Sequence, residues 1–563
     1  MTFRLTIFAV LFLISALTFG QSGFNEVVVF DTGGNPVAVE NKMISIESVE
    51  KASKDVLAQL QQKGYINAAV DSTALNNNRL EIFVNAGRQY EWKSLKYSSG
   101  VESAVFAAGL RKNTVNGTVF TVDNLMNIHK VVVAFYENSG YPFASSFLDS
   151  VVIDDNKISA VLSVDKGPFI TVDSVFIDGN VKISPYYIYN VINLHPSDPY
   201  SEKVMKAIEE NIENVEFLRM AGAPKLKFTG DKVTVDLNLK RRNANTFDGI
   251  IGFYSDDKTG KIAFNGNFNL KLVNAFGTGE KLHFNWNRPV AGNQTLKLFY
   301  SQPYLFRSRF GFSYLFSLYK QDSSFLNLEN KPALVYRFSP DDYIHLYFSQ
   351  LMSQTETSGN DSLFGDFNSL SMGLGFGYST LDYKFNPRKG FAAKAGLEAG
   401  RKNIKSGAEA NTGQDIYTRA MGTVSFQWYL PLFANSAFLF SNNSSAIFCE
   451  NISANELFRI GGFKTLRGFD EESLRASAFS IFDFEYRLLF ARNSNLAVFY
   501  NFAFYERKTE ASYFYDIPSG FGAGLNIDTG AGILSLFYAI GKQQGNPLRF
   551  NESKIHFGYL VKF

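Results

Sequence analysis

The last ten residues of the chain, 554–563 (KIHFGYLVKF), alternate strictly between apolar side chains and polar or small ones. Side chains two residues apart lie on the same face of a β-strand. The apolar face consists of Ile555, Phe557, Tyr559, Val561 and Phe563. A strand that crosses a bilayer needs this pattern, because one face meets hydrocarbon and the other meets a lumen. An amphipathic edge strand of a soluble sheet would show the same alternation, so the segment alone leaves both structures open.

The same alternation recurs throughout residues 246–563. In the segment 262–272 one face is apolar or small, while the other carries mainly lysine and asparagine. The first face consists of Ile262, Phe264, Gly266, Phe268, Leu270 and Leu272. About 318 residues, at about 20 for each strand with its connection, give about 16 strands, an even number as in bacterial outer-membrane barrels. A soluble sandwich would alternate in the same way, so alternation alone cannot separate the two folds. The length of this region, the C-terminal strand and the N-terminal export signal described below together predict a transmembrane antiparallel β-barrel over residues 243–563.

The N-terminus indicates export from the cytoplasm. Arg4 precedes an apolar run at residues 5–17, and small residues suit cleavage before Gln21. This predicts a signal peptide at residues 1–20, with an uncleaved anchor as the alternative. No later stretch of 18 apolar residues exists, so a membrane location would require a barrel rather than helices. A single cysteine, Cys449, excludes an internal disulfide and a multi-thiolate metal site.

The first half of the chain contains repeats. A helical pattern followed by Gly-Tyr and two strand patterns occurs twice, with the tyrosines at Tyr65 and Tyr141. A third unit begins with a strand, continues through a helix opened by Ser184-Pro185 and a longer helix, and ends with two strands. We predict three α+β domains at residues 21–87, 88–167 and 168–242, of which the first is abbreviated.

The order strand, helix, helix, strand, strand resembles the POTRA (polypeptide-transport-associated) domain. The third unit is most similar, through its Asp178-Gly179-Asn180 turn and the order of its elements. A generic α+β repeat is the alternative. Three such modules are more similar to the TamA branch of outer-membrane assembly factors than to the five-module central assembly factor.

One segment of the second half carries the resemblance to a family. Residues 461–469 (GGFKTLRGF) resemble the Arg-Gly-Phe motif in the sixth extracellular loop of the BamA/TamA superfamily of outer-membrane assembly and translocation factors. Three further segments agree with the family pattern: 302–305 (QPYL), 386–390 (NPRKG) and 481–487 (IFDFEYR). The aromatic face of the last strand, with Phe557, Tyr559, Val561 and Phe563, resembles the C-terminal signal of outer-membrane barrels.

The resemblance implies that the loop with Arg467, Gly468 and Phe469 folds back into the barrel. Strand parity places Asp483 and Glu485 on the lumen face, where a guanidinium would find carboxylates. By resemblance Glu485 is the acid that Arg467 pairs with. The loop-clamp motif is therefore predicted to consist of this loop segment and lumen-facing acids. As the alternative, lumen charges are solvated and merely avoid lipid.

A second family acid is expected on the next strand, in a Phe-Asp-x-Gly pattern. Residues 499–503 read FYNFA here, so Asn501 replaces the acid and Ala503 replaces the glycine. Asn501 has lumen parity and can still accept one hydrogen bond. The departure puts a clamp with two acids in doubt, and Asp483 is the residue that would compensate.

The sequence offers little for catalysis. It contains no Gly-x-Ser-x-Gly, His-Glu-x-x-His or P-loop motif, and its five histidines are scattered. Gly373, Gly375 and Gly377 alternate with apolar residues in a strand pattern, which favours strand glycines over a dinucleotide loop. We predict no enzyme, no catalytic residue, no cofactor and no metal. A barrel protease or phospholipase assembled from loop residues stays an alternative.

The resemblance implies an outer-membrane protein of a Gram-negative-type bacterium, with its POTRA-like domains in the periplasm, that inserts or translocates proteins. The implied partners are unfolded outer-membrane or secreted client proteins, outer-membrane lipid and periplasmic or lipoprotein accessory subunits, without nucleic acid. A two-partner secretion pore is the alternative within transport, although no plug helix is apparent between Gln21 and Glu40. A passive channel is the alternative of another class.

Overall fold

The computed structural model describes the greater part of the chain. The described residues are 26–39, 48–76, 79–107, 115–255, 262–288, 293–322, 324–355, 364–383, 386–404, 415–509, 512–529, 532–544, 550 and 553–562. The predicted signal peptide and the terminal Phe563 lie outside them. The chain forms two compact units. The first consists of Met1–Thr171, Ser197–Met205 and Thr229–Val233, and the second of Val172–Pro196, Lys206–Phe228 and Thr234–Phe563.

The first two α+β domains share one sheet arrangement. The first domain consists of β1 (Glu26–Asp31), α1 (Val49–Gln62), β2 (Ala69–Asn76) and β3 (Arg79–Asn85). The second consists of β4 (Glu91–Tyr97), α2 (Ser99–Ala107), α3 (Val122–Glu137), β5 (Ser145–Asp154) and β6 (Lys157–Asp165). In each, the last strand lies in the middle of a three-stranded sheet, parallel to the first strand and antiparallel to the other. One face of each sheet packs on helices to form the core.

The repeated Gly-Tyr has a structural reason. Gly64 and Gly140 follow the main helix of their domains with φ of +91° and +95°, a conformation that side chains other than glycine rarely adopt. A Cβ on Gly64 would lie 2.5 Å from Val119 Cγ1, and a Cβ on Gly140 would lie 2.2 Å from the Phe169 ring. Glycine is therefore required both for the turn and for the close packing of the following segment.

The third domain has two helices and four strands. They are β7 (Thr171–Gly179), α4 (Pro185–Ile192), α5 (Glu202–Glu213), β8 (Leu218–Met220), β9 (Lys225–Thr229) and β10 (Lys232–Arg241). The sheet order is β7-β10-β8, and β9 also pairs with β10. The short strand β8 is the one element of this domain that the sequence pattern did not indicate. We refer to the three domains together as the arm.

The remainder of the described chain forms an antiparallel barrel in which each strand pairs with the next along the chain. The first wall strands are β11 (Thr246–Ser255), β12 (Ile262–Val273), β13 (Lys281–Arg288), β14 (Gln294–Gln302), β15 (Phe310–Gln321), β16 (Phe325–Arg337), β17 (Tyr343–Thr355) and β18 (Phe367–Ser379). They are followed by β19 (Gly390–Ile404), β20 (Asp415–Pro431) and β21 (Ser436–Phe448).

A long connection separates these strands from the last part of the wall. It contains a small hairpin of β22 (Phe458–Ile460) and β23 (Leu474–Ala476). The wall continues with β24 (Ala478–Ala491), β25 (Ser494–Lys508), β26 (Tyr513–Asp516), β27 (Ser519–Asp528), β28 (Gly532–Lys542) and β29 (Lys554–Lys562). Both β26 and β27 pair with β25 and occupy one position in the wall, so the described barrel has 16 strand positions, as predicted.

Exposure alternates along the wall in the sense that a membrane barrel requires. In β18 the apolar residues Leu370, Met372 and Leu374 are exposed on the outside, while the intervening serines and glycines are buried on the inside. A soluble sheet would bury the apolar face instead. No helix in the described part of the chain is long and apolar enough to cross a membrane.

The barrel closes through a short seam between its first and last strands. Among the described residues, which end at Lys562, the pairs that join β11 to β29 are Thr246 with Lys562 and Phe247 with Val561. On its other side, β11 pairs with β12 along all ten of its residues, Thr246–Ser255. We call the end of the barrel at which β11 begins the arm-side end.

Candidate functional site

The connection between β21 and β24 is buried although it is a loop. Its apolar side chains Ile460, Leu466 and Phe469 pack against inward-facing residues of β24 and β25, among them Ile481 and Ala503. Burial against the inner wall means that the loop lies inside the barrel. We call this segment, residues 449–477, the inner loop.

Arg467 at the tip of the inner loop is held by two carboxylates of one wall strand. Its Nη1 donates to Glu485 Oε2 at 2.7 Å, and its Nη2 donates to Asp483 Oδ1 at 2.5 Å. The guanidinium therefore spans two acids, rather than binding both oxygens of one. Asp483 and Glu485 are two residues apart on β24 and face the lumen together, as strand parity predicts.

A second cation balances these charges. Arg487, the next lumen-facing residue of β24, donates from Nε to Glu485 Oε1 at 2.5 Å. The guanidinium of Arg467 also lies over the Phe499 ring, 3.7 Å from its centroid. Two guanidinium groups thus face two carboxylates, and charged groups that leave water are tolerated only when they are paired in this way.

Asn501 does not join this cluster. It lies opposite Asp483 in the β24–β25 register and is fully buried. Neither its amide nitrogen nor its amide oxygen has a hydrogen-bond partner within the described residues. Among the described residues, the hydrogen bond that Asn501 could accept is absent, and Asp483 is the second carboxylate that Arg467 contacts.

The predicted Gly468 and two wall glycines that the sequence analysis missed, Gly520 and Gly541, let the tip pack closely against the wall. Gly468 has φ of +99°, and a Cβ on it would lie 2.8 Å from the backbone nitrogen of Gly541 on β28. A Cβ on Gly520 of β27 would lie 2.0 Å from the carbonyl oxygen of Arg467. The backbone of the tip thus rests directly on two wall glycines. The sequence did contain a pattern that could have indicated this contact, since Gly520 and Gly541 both face the lumen on adjacent strands.

The last strands contact the tip as well. The Phe463 ring packs edge-on against Phe537 of β28 at 4.9 Å and lies 5.6 Å from His556 of β29. Lys554 Nζ lies 2.7 Å from the Asp470 carboxylate. The tip therefore borders the half of the seam that the C-terminus supplies.

The residues of the predicted C-terminal signal lie on this strand. Phe557 is 71% exposed on the outside of the barrel, and Val561 forms one of the two seam pairs. The Tyr559 hydroxyl lies 3.3 Å from the Thr529 hydroxyl. Phe563 lies outside the described residues, so its part in the signal stays a prediction.

The base of the inner loop has a second anchor that the sequence analysis missed. Glu456 forms ion pairs with Lys402 of β19 and Arg419 of β20, the latter at 3.3 Å. The side chains of Glu456 and Lys402 are both 0% exposed. Arg419 also pairs with Glu398 at 3.1 Å, which in turn pairs with Lys331 of β16 at 3.4 Å. Alternating charges thus connect the loop base to three wall strands.

Neutral hydrogen bonds complete this base anchor. Asn455 donates from Nδ2 to the Ser353 hydroxyl at 2.6 Å, and its own carbonyl oxygen accepts from Asn327 Nδ2 at 2.6 Å. Ser453 caps the short turn that carries Glu456, through the reciprocal bonds of a capping box. In the sequence, the lumen-facing Lys402 and Arg419 indicate that an acidic partner is needed. The partner, Glu456, is many residues away, so the sequence did not identify it.

A charged contact also forms at the arm-side mouth of the barrel. Glu216, just before β8, lies 2.6 Å from Lys271 Nζ and 2.8 Å from Lys281 Nζ. Burial raises the pKa of Glu216, but the two ammonium groups outweigh it and hold the pKa at about 2, below the ordinary 4.5. The carboxylate therefore stays charged at neutral pH.

The family follows from the match of the barrel. The model of the Omp85 superfamily domain matches residues 274–559, which is more than half of the 563 residues. The chain belongs to the Omp85 superfamily. A POTRA model, described as a surface antigen variable number repeat, matches residues 170–240, the third domain of this Omp85 protein. The resemblance read from the Arg-Gly-Phe motif and from the third repeat is thereby confirmed.

Solved structures resemble the chain in fold. CdiB from Acinetobacter baumannii has a TM-score of 0.53 at 15% identity, over 85% of this chain and 90% of that one. CdiB from Escherichia coli has a TM-score of 0.52 at 13% identity, over 92% and 98%. BamA from Haemophilus ducreyi lacking POTRA domains 1–3 has a TM-score of 0.43 at 14% identity, over 84% and 99%. No curated protein matches the chain.

Membership gives the general setting. Omp85 proteins are transporters and assembly factors of the bacterial outer membrane, and they handle protein clients. Within the described residues, no group of three or more histidine, cysteine, aspartate or glutamate side chains is placed to hold a metal ion. The contacts of the inner loop are charge pairs and close packing against the barrel wall.

Proposed function

We propose that this protein inserts client proteins into the outer membrane, or translocates them across it, without a cofactor or nucleotide. The observation that carries the proposal is the position of the inner loop, which is anchored at its base and rests its tip beside a short seam. A loop fixed at both ends inside the lumen suits a device that handles clients, and a passive channel would not need it.

The seam is where a client strand would pair. In the part of β29 that the structure describes, Lys562 and Val561 pair with Thr246 and Phe247, two of the ten residues of β11. The remaining part of β11 presents a strand edge, and such an edge is a template for a further strand. A client strand added to this edge would have its backbone groups paired before it enters lipid, which the bilayer requires.

The arm offers a second kind of edge. β5 is an outer strand of its sheet, and its residues Val151, Val152 and Ile153 are exposed and apolar. Exposed apolar residues on an unpaired edge suit extended, unfolded chains, which would add as a further strand. The arm would therefore collect clients in an unfolded state.

A two-partner secretion pore is the second candidate. A pore would pass its client through the lumen and not through the seam, and a lumen cavity of about 620 Å³ on the arm side favours this route. Against it, the described residues 26–39 form β1 and a turn in place of a plug helix.

Site-specific photo-crosslinking in cells tests the proposal. A photoreactive residue at Val152 on the β5 edge and another at Phe247 at the seam should each trap client proteins. The matched control is Leu374, which is equally apolar and exposed on the outside of β18, far along the wall from the seam. Clients trapped at Leu374 as often as at Phe247, or at neither arm nor seam, would contradict the proposal. A third photoreactive residue is placed at the inward-facing position of Lys394. Clients trapped there, with none trapped at the seam, would favour the secretion pore.

A further inference from the structure

The arm-side half of the lumen contains a cavity apart from the inner loop's tip. Its volume is about 620 Å³, and it is lined by inward-facing residues of strands β13 to β20. We call it the arm-side cavity. Pockets of this size hold small molecules or short peptide segments.

One wall of the cavity carries a row of three aromatic rings. His345 lies between Tyr343 and Tyr347, with ring centroids 5.6 Å and 5.3 Å apart and the ring planes tilted by 36° and 30°. Each ring packs against a glycine of β18, where a Cβ would come within 2.2 to 2.5 Å of a ring atom. These glycines are Gly373, Gly375 and Gly377. The glycines therefore leave room for three rings against the wall.

The charged groups of the cavity are mostly cations. Its lining includes four basic residues, Lys281, Lys331, Arg337 and Lys394, but a single carboxylate, Asp341. Two of these cations have acidic partners, because Lys281 pairs with Glu216, and Lys331 pairs with Glu329 and Glu398. Arg337, Lys394 and the Asp341 carboxylate line the same cavity, so this part of the lining carries one net positive charge.

Two buried nitrogen atoms in the same lining have no hydrogen-bond partner in the described part of the chain. They are Nε of Arg337 and Nδ1 of His345. Arg337 otherwise donates from Nη1 to the Pro340 carbonyl oxygen at 3.2 Å. A buried polar group without a partner costs free energy, so such groups in a cavity indicate a ligand that supplies the missing partner. For a guanidinium N–H, a suitable partner is an acceptor that carries negative charge.

We propose that the arm-side cavity binds an acidic peptide segment of the client, with side-chain carboxylates on Arg337 and Lys394. The planar guanidinium suits a carboxylate, and the rings of Tyr343 and Tyr347 offer apolar contact area for the peptide in the same cavity. This inference rests on the proposed function, since it assumes that the protein handles client proteins and states which client segments, acidic ones, bind in the lumen.

Binding of a labelled peptide to the full chain in detergent tests the inference. The probe is a fluorescein-labelled peptide of eight glutamates, and a peptide of eight lysines is the reference. The wild-type protein should bind the acidic peptide and not the basic one. Lys394→Gln and Arg337→Gln should each weaken binding about 10-fold, the effect of losing one hydrogen bond to a charged group. Lys394→Arg should bind as the wild type does.

The matched control is Lys297→Gln. Lys297 lines a different lumen cavity, of about 540 Å³, together with Asn285 and Asn287. Its substitution should leave peptide affinity within about 2-fold, because rim charges outside a site contribute little. Each variant is first checked for the heat-modifiable shift of a folded barrel, so that misfolding is not counted as lost binding.

Three outcomes would overturn the inference. They are unchanged affinity in both Lys394→Gln and Arg337→Gln, an equal loss in Lys297→Gln, and displacement of the peptide by inorganic phosphate or phosphatidylglycerol micelles at similar charge concentration. The last result would assign the cavity to phosphate or lipid headgroups instead. The proposed function is tested separately, because crosslinked clients at Phe247 with no peptide binding would overturn only this inference.

Discussion

The inner loop has two anchors, one at its base and one at its tip. They differ in whether the loop supplies the acid or the cation, and in how exposed the paired side chains are. At the base, the loop supplies the acid, Glu456, to cations on two wall strands, and the Glu456 and Lys402 side chains are 0% exposed. At the tip, the loop supplies the cation, Arg467, to acids on one strand, and the Asp483 side chain is 22% exposed. The base is thus enclosed by the wall, while the tip lies near the seam. From this difference we expect the base to hold the loop in the barrel and the tip to be the part that is more easily released.

The largest effect is expected from breaking the base anchor. Glu456→Gln leaves Lys402 buried without its acid, and breaking a buried ion pair on one side costs about 3 to 5 kcal/mol. The folded fraction, measured by heat-modifiable mobility after refolding in urea, should fall well below that of the wild type. Glu450→Gln, an exposed position of the same loop, is the control and should refold normally. If Arg467→Ala impaired refolding more than Glu456→Gln did, the assignment of the two anchors would be wrong.

Breaking the tip anchor should affect function more than folding. Arg467→Ala should leave the barrel inserted but impair client assembly, and Arg467→Lys should rescue poorly because a lysine cannot span both Asp483 and Glu485. Client assembly is measured as the amount of folded client barrels in the membrane, with Lys464→Ala of the same loop as the control.

A double variant sharpens this test. Arg467→Ala combined with Glu485→Ala should be no worse than the worse single variant, because the two residues act as a pair. Strictly additive defects would show that the tip is held by something other than this contact.

A smaller effect is expected from the wall glycines below the tip. Gly520→Ala places a Cβ 2.0 Å from the Arg467 carbonyl oxygen, and overpacking of this kind costs about 1 to 3 kcal/mol. The variant should resemble Arg467→Ala in client assembly while the base stays anchored. Gly558→Ala is the control, since its Cβ would meet its nearest atom, on Ser535, at 3.8 Å. Normal client assembly by Gly520→Ala would mean that the tip does not rest on the wall.

The smallest effect concerns the ion pairs of Glu216 with Lys271 and Lys281 at the arm-side mouth of the barrel. The pKa of Glu216 is about 2 in the folded protein and 4.5 ordinarily, so its stabilisation is complete above pH 4.5. It is lost progressively as the pH falls from about 4.5 towards 2. The unfolding midpoint in urea should fall over this range in the wild type, and Glu216→Gln should lack that part of the pH dependence. An identical pH profile in the two proteins would show that the contact adds no stability.

The sequence predicted those parts of the structure that repeat or that lie close together along the chain. Strand alternation is local, so it predicted the barrel and the common face of Asp483 and Glu485. The contact of Arg467 with Glu485 came from resemblance, because parity alone cannot place a loop inside a lumen. The base anchor was missed because it joins β16, β19 and β20 to one loop residue, and no local pattern reports such a meeting. The arm's domain boundaries stay predictions.

A disulfide across the seam is the most direct test of whether clients are assembled at the seam beside the tip of the inner loop. Phe247→Cys with Val561→Cys, in a Cys449→Ser background, places two cysteines on directly opposed residues of β11 and β29, at a distance that suits a disulfide. The control is Tyr378→Cys with Ala393→Cys, an opposed pair between β18 and β19. We expect the oxidised seam variant to stay folded but to lose client assembly, which a reductant restores, while the oxidised control assembles clients normally. Undiminished client assembly by the oxidised, fully crosslinked seam variant would contradict the account.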